Sequence, residues 1–181
     1  RVRFGGGGTV GSQDWLKAAI LARAMGVDYK SLRFVSFEGG GDALEALGGQ
    51  HLEVVSGDVA ETQARIDAGK PLRIVAVYSR ERLPGRLHAI PTAVEQGYDM
   101  NWRTVRGFYM GPGVDEADVR RWAELLRKAG QAPGYAELLQ AQGLQPFVLV
   151  GPELDAYVMQ ASAEMRQLAR QFGLRKNASG D

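Results

Sequence analysis

Two glycine clusters constrain this chain more than any other feature. Gly5-Gly6-Gly7-Gly8-Thr9-Val10-Gly11-Ser12 and Phe37-Glu38-Gly39-Gly40-Gly41-Asp42 each lie between a short β-like run and a stretch with helical spacing. A strand that passes through glycines straight into a helix is the unit of a parallel α/β layer, because parallel strands need a crossover and a helix commonly supplies it. Glycine frees the backbone at such a turn, so amide N–H groups converge there, and the helix N-terminus adds a partial positive charge. The turn therefore sets the topology and also makes a place for an anion, whether phosphate or carboxylate. Of 181 residues 24 are glycine, and the clusters Gly5–Gly11 and Gly39–Gly49 hold most of the excess over an average chain.

Apolar periodicity fills in the elements around these turns. Arg1–Phe4 reads as a strand that stops at Gly5. Ser12 is placed to cap a helix with Leu16, Ala19, Ile20 and Met25 on one face and Gly26 at its end. Leu32–Phe37 is a second strand, the Gly39–Gly41 turn opens a short helix through Leu44 and Leu47, and Leu52–Val55 is a third strand. Asp58 with Glu61 forms a capping-box pattern before a helix that ends at Gly69. Leu72–Val77, rich in β-branched residues, predicts a central strand. Ser79–His88 is basic and turn-rich, Pro91 starts a short helical segment to Gln96, and Asn101–Met110 is extended. Asp115–Ala129 is a helix carrying Val119, Trp122, Leu125 and Leu126, and Tyr135–Gln142 is another. Pro146–Val150 reads as a last strand, and Pro152–Phe172 as a long helix with Gly173 just past its end. Trp15 and Trp122 are expected in the core, and Trp102 as hinge packing or a cleft wall. The tail after Arg175, with the sequon Asn177-Ala178-Ser179, is expected to be disordered.

Charge and composition narrow the function. With 22 basic against 21 acidic residues the formal net charge is +1, which offers no footprint for a nucleic-acid backbone. No apolar run approaches the roughly 20 residues of a bilayer span. There is no cysteine, so thiolate chemistry is excluded, and His51 and His88 are too few for a histidine-rich metal site and read as surface or strand-end residues. Gly6, Gly8 and Gly11 satisfy GxGxxG, with Glu38 near the end of the second strand as the acidic partner, so a Rossmann-like nucleotide-binding enzyme domain is the alternative reading. An enzyme reading otherwise lacks parts: there is no GxSxG elbow, P-loop lysine or HExxH helix. A glycine turn alone is more often a simple chain reversal, and Asp58 and Glu61 are more simply a cap than ligands. Asp14 and Asp42 suit the helix dipoles of an empty protein but would repel an anion bound close by. The two glycine turns and the helix start at Asp58 would share one edge of a parallel sheet. Two or three helix N-termini around one crevice suit a small molecule with several carboxylates.

Gly5–Asp14 (GGGGTVGSQD), Phe34–Leu47 (FVSFEGGGDALEAL), Ala68–Arg82 (AGKPLRIVAVYSRER), Ile90–Tyr98 (IPTAVEQGY) and Asn101-Trp102-Arg103 resemble, in order and spacing, the periplasmic substrate-binding proteins of tripartite tricarboxylate transporters, the Bug/TctC-type family. The resemblance runs over essentially the whole chain. It implies a type II periplasmic-binding-protein-like α/β fold of the Venus-flytrap kind, with one complete parallel or mixed-sheet domain and the C-terminal part of a second. On that reading residues 1–99 are domain two and residues 100–181 complete domain one, whose N-terminal half, with a signal peptide, would precede Arg1. The implied role is non-catalytic capture of a citrate-like di- or tricarboxylate and delivery to membrane permease subunits, without a cofactor. Hinges are expected near Tyr78–Arg86 and Gly97–Arg103. The implied binding residues are Gly8, Thr9, Gly11 and Ser12 in the first turn, Gly39, Gly40, Gly41 and Asp42 in the second, and Asp58, with Thr9 and Ser12 hydroxyls as donors. Trp15 stands where the family commonly has histidine, Glu38 where it has a small or basic residue, and Thr104-Val105-Arg106 interrupts the link from Trp102-Arg103 to glycine. An apolar face left open by the absent strands would favour dimerisation.

Overall fold

The first glycine cluster continues a strand rather than ending it. The structure, a computed structural model, describes residues 2–174. In it β1 (Arg3–Gly7) runs through Gly5, Gly6 and Gly7, leads into α1 (Gln13–Ala24), and is followed by β2 (Arg33–Phe37), α2 (Gly40–Gly48), β3 (Val54–Val55) and α3 (Val59–Asp67). The expected stop at Gly5 is thus corrected: glycine lacks a side chain, not its ladder-forming amide and carbonyl, and Gly5, Gly6 and Gly7 pair opposite Val35, Ser36 and Phe37. The sheet has the order β2-β1-β3 and both pairings are parallel, with Phe4 opposite Val54 and Gly5 opposite Val55. All three strands therefore present their C-terminal ends, and the helices that follow, at one edge.

The core of this layer is small-residue packing. Trp15, Leu16, Ala18, Ala19 and Ala22 of α1 are buried together with Ala43 and Leu44 of α2 and Leu52. The alanines let α1 lie close on β1, where Gly6 completes the fit: a Cβ there would stand 2.6 Å from Asp14 Cβ and 3.1 Å from both Phe34 Cζ and the Ser56 carbonyl oxygen. Trp15 is in the core as expected, edge-on to Tyr29 with ring centroids 6.1 Å apart.

The predicted central strand Leu72–Val77 does not join the sheet. Within it only Val77 bridges, to Thr92, and Val75 is 58% exposed. The Val77 N–H donates to the Pro91 carbonyl and its carbonyl accepts from Ala93, so its backbone groups are spent on a turn rather than on a ladder. The alternation of half-buried and exposed residues survives, but β-propensity describes a pleated, half-buried surface and supplies no neighbouring strand. The helical segment expected from Pro91 is a single turn in which Thr92 Oγ1 accepts from the Glu95 amide at 3.0 Å and Glu95 Oε2 accepts from the Thr92 amide at 2.7 Å. Trp102 then donates its amide to the Tyr78 carbonyl at 2.8 Å.

The chain divides into two compact units, one running through Arg106 and including Gln142–Leu144, the other formed by Gly107–Ala141 and the chain from Gln145 onward. The second unit holds α4 (Glu116–Gly130), α5 (Tyr135–Ala141) and α6 (Pro152–Gln171). The strand expected at Pro146–Val150 is absent: Val148 packs against Gly130, and the Phe147 ring meets Tyr157 edge-on at 5.2 Å. Trp122 is not core; it is 53% exposed, and Val119 and Leu125 on the same side of α4 are also exposed. Helical spacing identifies an apolar face but not what covers it. The tail and its sequon lie outside the described residues.

Candidate functional site

The C-terminal edge of the sheet gathers the residues singled out by the sequence. Beyond β1 the chain turns through Gly8, at φ +78°, and Gly11, at φ +94°, conformations that disfavour a side chain. The Gly8 amide donates to the Phe37 carbonyl at 2.8 Å, which joins the ends of β1 and β2, and the Ser12 amide donates to the Thr9 carbonyl at 2.9 Å. Ser12 is the N-cap of α1; its Oγ accepts from the Trp15 amide at 3.3 Å and keeps its own hydrogen to donate. Thr9 is exposed.

At the second turn Gly39 is the N-cap of α2 and provides no side-chain cap. Gly40 and Gly41 form its first turn with Asp42, which is exposed. The two turns touch, since a Cβ on Gly7 would lie 3.2 Å from the Gly40 amide nitrogen. Glu61 of α3 extends to this place: a Cβ on Gly40 would be 2.5 Å from Glu61 Oε2, and one on Gly41 would be 2.9 Å from Arg65 Nη2. Arg65 in turn pairs with Glu45, which also pairs with Lys70 at 2.9 Å. The capping box expected of Asp58 and Glu61 is therefore only half formed. Asp58 caps α3 through the Ala60 amide at 2.9 Å, while the positive end of α2 draws the Glu61 carboxylate to its own first turn.

Asp58 has both oxygens engaged, Oδ1 by Ala60 and Oδ2 by Arg106 at 2.7 Å. What it presents outward is the Arg106 guanidinium, 67% exposed. Of the nine expected residues, the structure thus places Gly8, Thr9, Gly11, Ser12, Gly39, Gly40, Gly41 and Asp42 in the two turns and Asp58 at the third helix start of the same edge.

Lys17 was missed by sequence reasoning. It is 4% exposed, its Nζ lies 2.7 Å from Asp14 Oδ1 and it donates to the Gly57 carbonyl at 3.0 Å, while Asp14 Oδ2 accepts from the Gly7 amide at 2.7 Å. The one available signal was the i,i+3 spacing of Asp14 and Lys17. Ser56 Oγ, at the end of β3, and Trp102 Nε1 are buried without a hydrogen-bond partner. Among the described residues no group of three or more His, Asp or Glu could hold a metal, and no helix is long and apolar enough to cross a membrane.

The nucleotide alternative does not fit this geometry. Gly6 is inside β1, opposite Ser36, and does not make the tight turn required of the first glycine in a dinucleotide fingerprint. The amide of Gly7 is already taken by the Asp14 carboxylate.

Comparison with known proteins gives a consistent result. The chain is 23% identical over 171 residues to a UPF0065 protein encoded in the gbd 5′ region of Cupriavidus necator and 24% identical over 166 residues to a UPF0065 protein of Bordetella pertussis, covering 93% and 91% of this chain. It spans 50% of the length of each. Among solved structures it is similar to a TctC solute-binding protein from Polaromonas without ligand (26% identity, TM-score 0.66, 94% of this chain and 57% of that one). An R. palustris protein solved with adipate shares the fold at 19% identity and a TM-score of 0.75, over 96% of this chain and 57% of that one. The α/β fold is thus that of periplasmic solute-binding proteins, and the nucleotide-enzyme alternative finds no support. The family model for the tripartite tricarboxylate transporter family receptor, TctC, matches residues 1–174, and the chain belongs to that family.

Proposed function

We propose that this chain forms part of a periplasmic solute-binding protein that captures a citrate-like di- or tricarboxylate without catalysis and delivers it to the membrane subunits of a tripartite tricarboxylate transporter. The observation that carries this reading is the convergence of three strand ends and three helix starts at one sheet edge. Helix N-termini and glycine-turn amides favour carboxylates over neutral solutes. Because the amides of Gly7 and Gly8 are spent on Asp14 and Phe37, the contacts fall to Thr9, Val10 and Gly11, to Gly40 and Gly41 once the flexible Glu61 side chain swings off them, and to the Thr9 and Ser12 hydroxyls. Asp58 acts through the Arg106 it holds. In the same reading residues 1–99 are the ligand-facing domain and residues 100–181 complete its partner. The exposed α4 face of Val119, Trp122 and Leu125 supports dimerisation of the isolated chain.

Calorimetry of the intact protein against a panel of mono-, di- and tricarboxylates, NAD and neutral sugars tests the reading. At least one di- or tricarboxylate is expected to bind, and Thr9→Val is expected to weaken it about tenfold with an unchanged unfolding midpoint, the loss of one hydrogen bond to a charged group. Binding confined to NAD or to a neutral solute would overturn it.

A further inference from the structure

The position of Asp14 poses a problem for any anion at this edge. It sits in the first turn of α1 beside the glycine turn, where an uncompensated carboxylate would repel an anionic ligand and cancel the helix's partial positive charge. The same acid is joined to a lysine that is buried, and an ammonium is left inside a protein only where it is paired and hydrogen-bonded. Both conditions are met by two partners, Asp14 Oδ1 and the Gly57 carbonyl.

We propose that Lys17 is a positioning and charge-balancing residue of the solute site: it neutralises Asp14 and holds the first glycine turn in the shape that admits an anionic solute. The inference rests on the carboxylate-binding reading above. The connections run in one line, from the Gly7 amide at the end of β1 to Asp14 Oδ2, from Asp14 Oδ1 to Lys17 Nζ, and from Lys17 Nζ to the Gly57 carbonyl just before α3. Asp14 thereby fixes the turn while Lys17 cancels its charge, so the α1 N-terminus faces the ligand with its favourable sign intact. Lys17 itself is too buried to touch solute. Its effect on binding is electrostatic and scales with the charge of the ligand.

The test compares the intact protein with Lys17→Met, Asp14→Asn and the double variant Lys17→Met/Asp14→Asn. Calorimetry with adipate and with citrate is run beside amide hydrogen exchange of the ligand-free forms over Gly5–Ser12 and Ser56–Ala60. Lys17→Met is expected to weaken citrate about tenfold and adipate about threefold and to speed exchange in both segments. The double variant, neutral again at this pair, is expected to return both affinities to within about threefold of the unaltered protein. If Lys17→Met does not fold, the double variant still has to bind as stated, and Asp14→Asn alone has to tighten citrate more than adipate. Equal losses for the two ligands, or a double variant as weak as Lys17→Met, would overturn the proposal. If the unaltered protein binds neither adipate nor citrate but another carboxylate of the panel, that ligand takes their place in the comparison; if it binds no carboxylate at all, the proposed function fails separately, and exchange decides for Lys17: unchanged rates in Gly5–Ser12 refute its hold on the turn, faster rates uphold it.

Discussion

Two glycines of the candidate site differ in what surrounds the place a side chain would fill. At Gly6 an added Cβ meets Asp14 Cβ of α1, the Phe34 ring of β2 and the backbone carbonyl of Ser56, whose amide is bonded to Gly5, and these cannot all give way. Gly6→Ala is expected to cost about 1–3 kcal/mol, the range of an overpacked core, as a lowered urea midpoint at constant slope. At Gly40 the obstructing atom is Glu61 Oε2, the far end of a flexible side chain. It can swing away, and alanine is the better helix former, so Gly40→Ala should change stability by less than about 0.5 kcal/mol. A Gly40→Ala protein as destabilised as Gly6→Ala would show that Glu61 is held more firmly than its contacts imply. Both positions read alike in the sequence. Their difference arises from α1 and α3, which the linear motif does not contain.

The β1–β3 pairing is clamped at its start by Arg3 and Glu53. The Arg3 backbone amide donates to Glu53 Oε2 at 2.6 Å, and its guanidinium donates to Oε1 as well. Hydrogen bonds from the Arg3 side chain, and then from its backbone, lower the Glu53 carboxyl from 4.5 to about 2. A carboxyl depressed in the folded state stabilises fully above its unfolded value and loses that contribution as the pH falls through the folded one. The window therefore opens near pH 4.5 and closes near pH 2, and Glu53→Gln is expected to lower the thermal midpoint near neutral pH slightly, the pair being exposed, and to flatten the fall across the window by the same amount, so that variant and parent converge near pH 2. A parallel acid limb for variant and parent would refute the clamp. At this scale the sequence was legible where a local rule settles the matter. Ser12 caps α1, Gly39 opens α2, and Asp58 caps α3, each from chemistry within a few residues. Where the outcome depends on a distant neighbour it was not. Leu72–Val77 has strand character but spends the backbone of Val77 on Pro91 and Ala93, and Glu61 has capping spacing but turns toward α2. Lys17 was missed for the same reason, since its spacing to Asp14 is local but its second partner, Gly57, is forty residues away.

For the whole molecule, the glycine-turn pattern carried the parallel layer through Asp67, because each strand–turn–helix unit folds by contacts close in sequence. Beyond Tyr78 the periodicity still located α4, α5 and α6, but burial there depends on what each face meets, and Trp122 shows that an apolar stripe can remain exposed. The chain from residue 103 to 114 has neither ladder nor helix. Residues 103–114 are exposed throughout, and Phe108 and Tyr109 are 83% and 92% exposed. Proteases cut where backbone is exposed and free of secondary structure, and cleavage inside a helix or ladder first requires local unfolding. Brief chymotrypsin treatment of the 181-residue chain is therefore expected to cut first after Phe108 or Tyr109, ahead of Trp15 and Phe37, whose backbones are held in α1 and β2. Mass spectrometry of the earliest fragments decides the point. First cuts within α1 or β2 would mean that the parallel layer opens more readily than residues 103–114 yield, and that its short strands need further partners to hold.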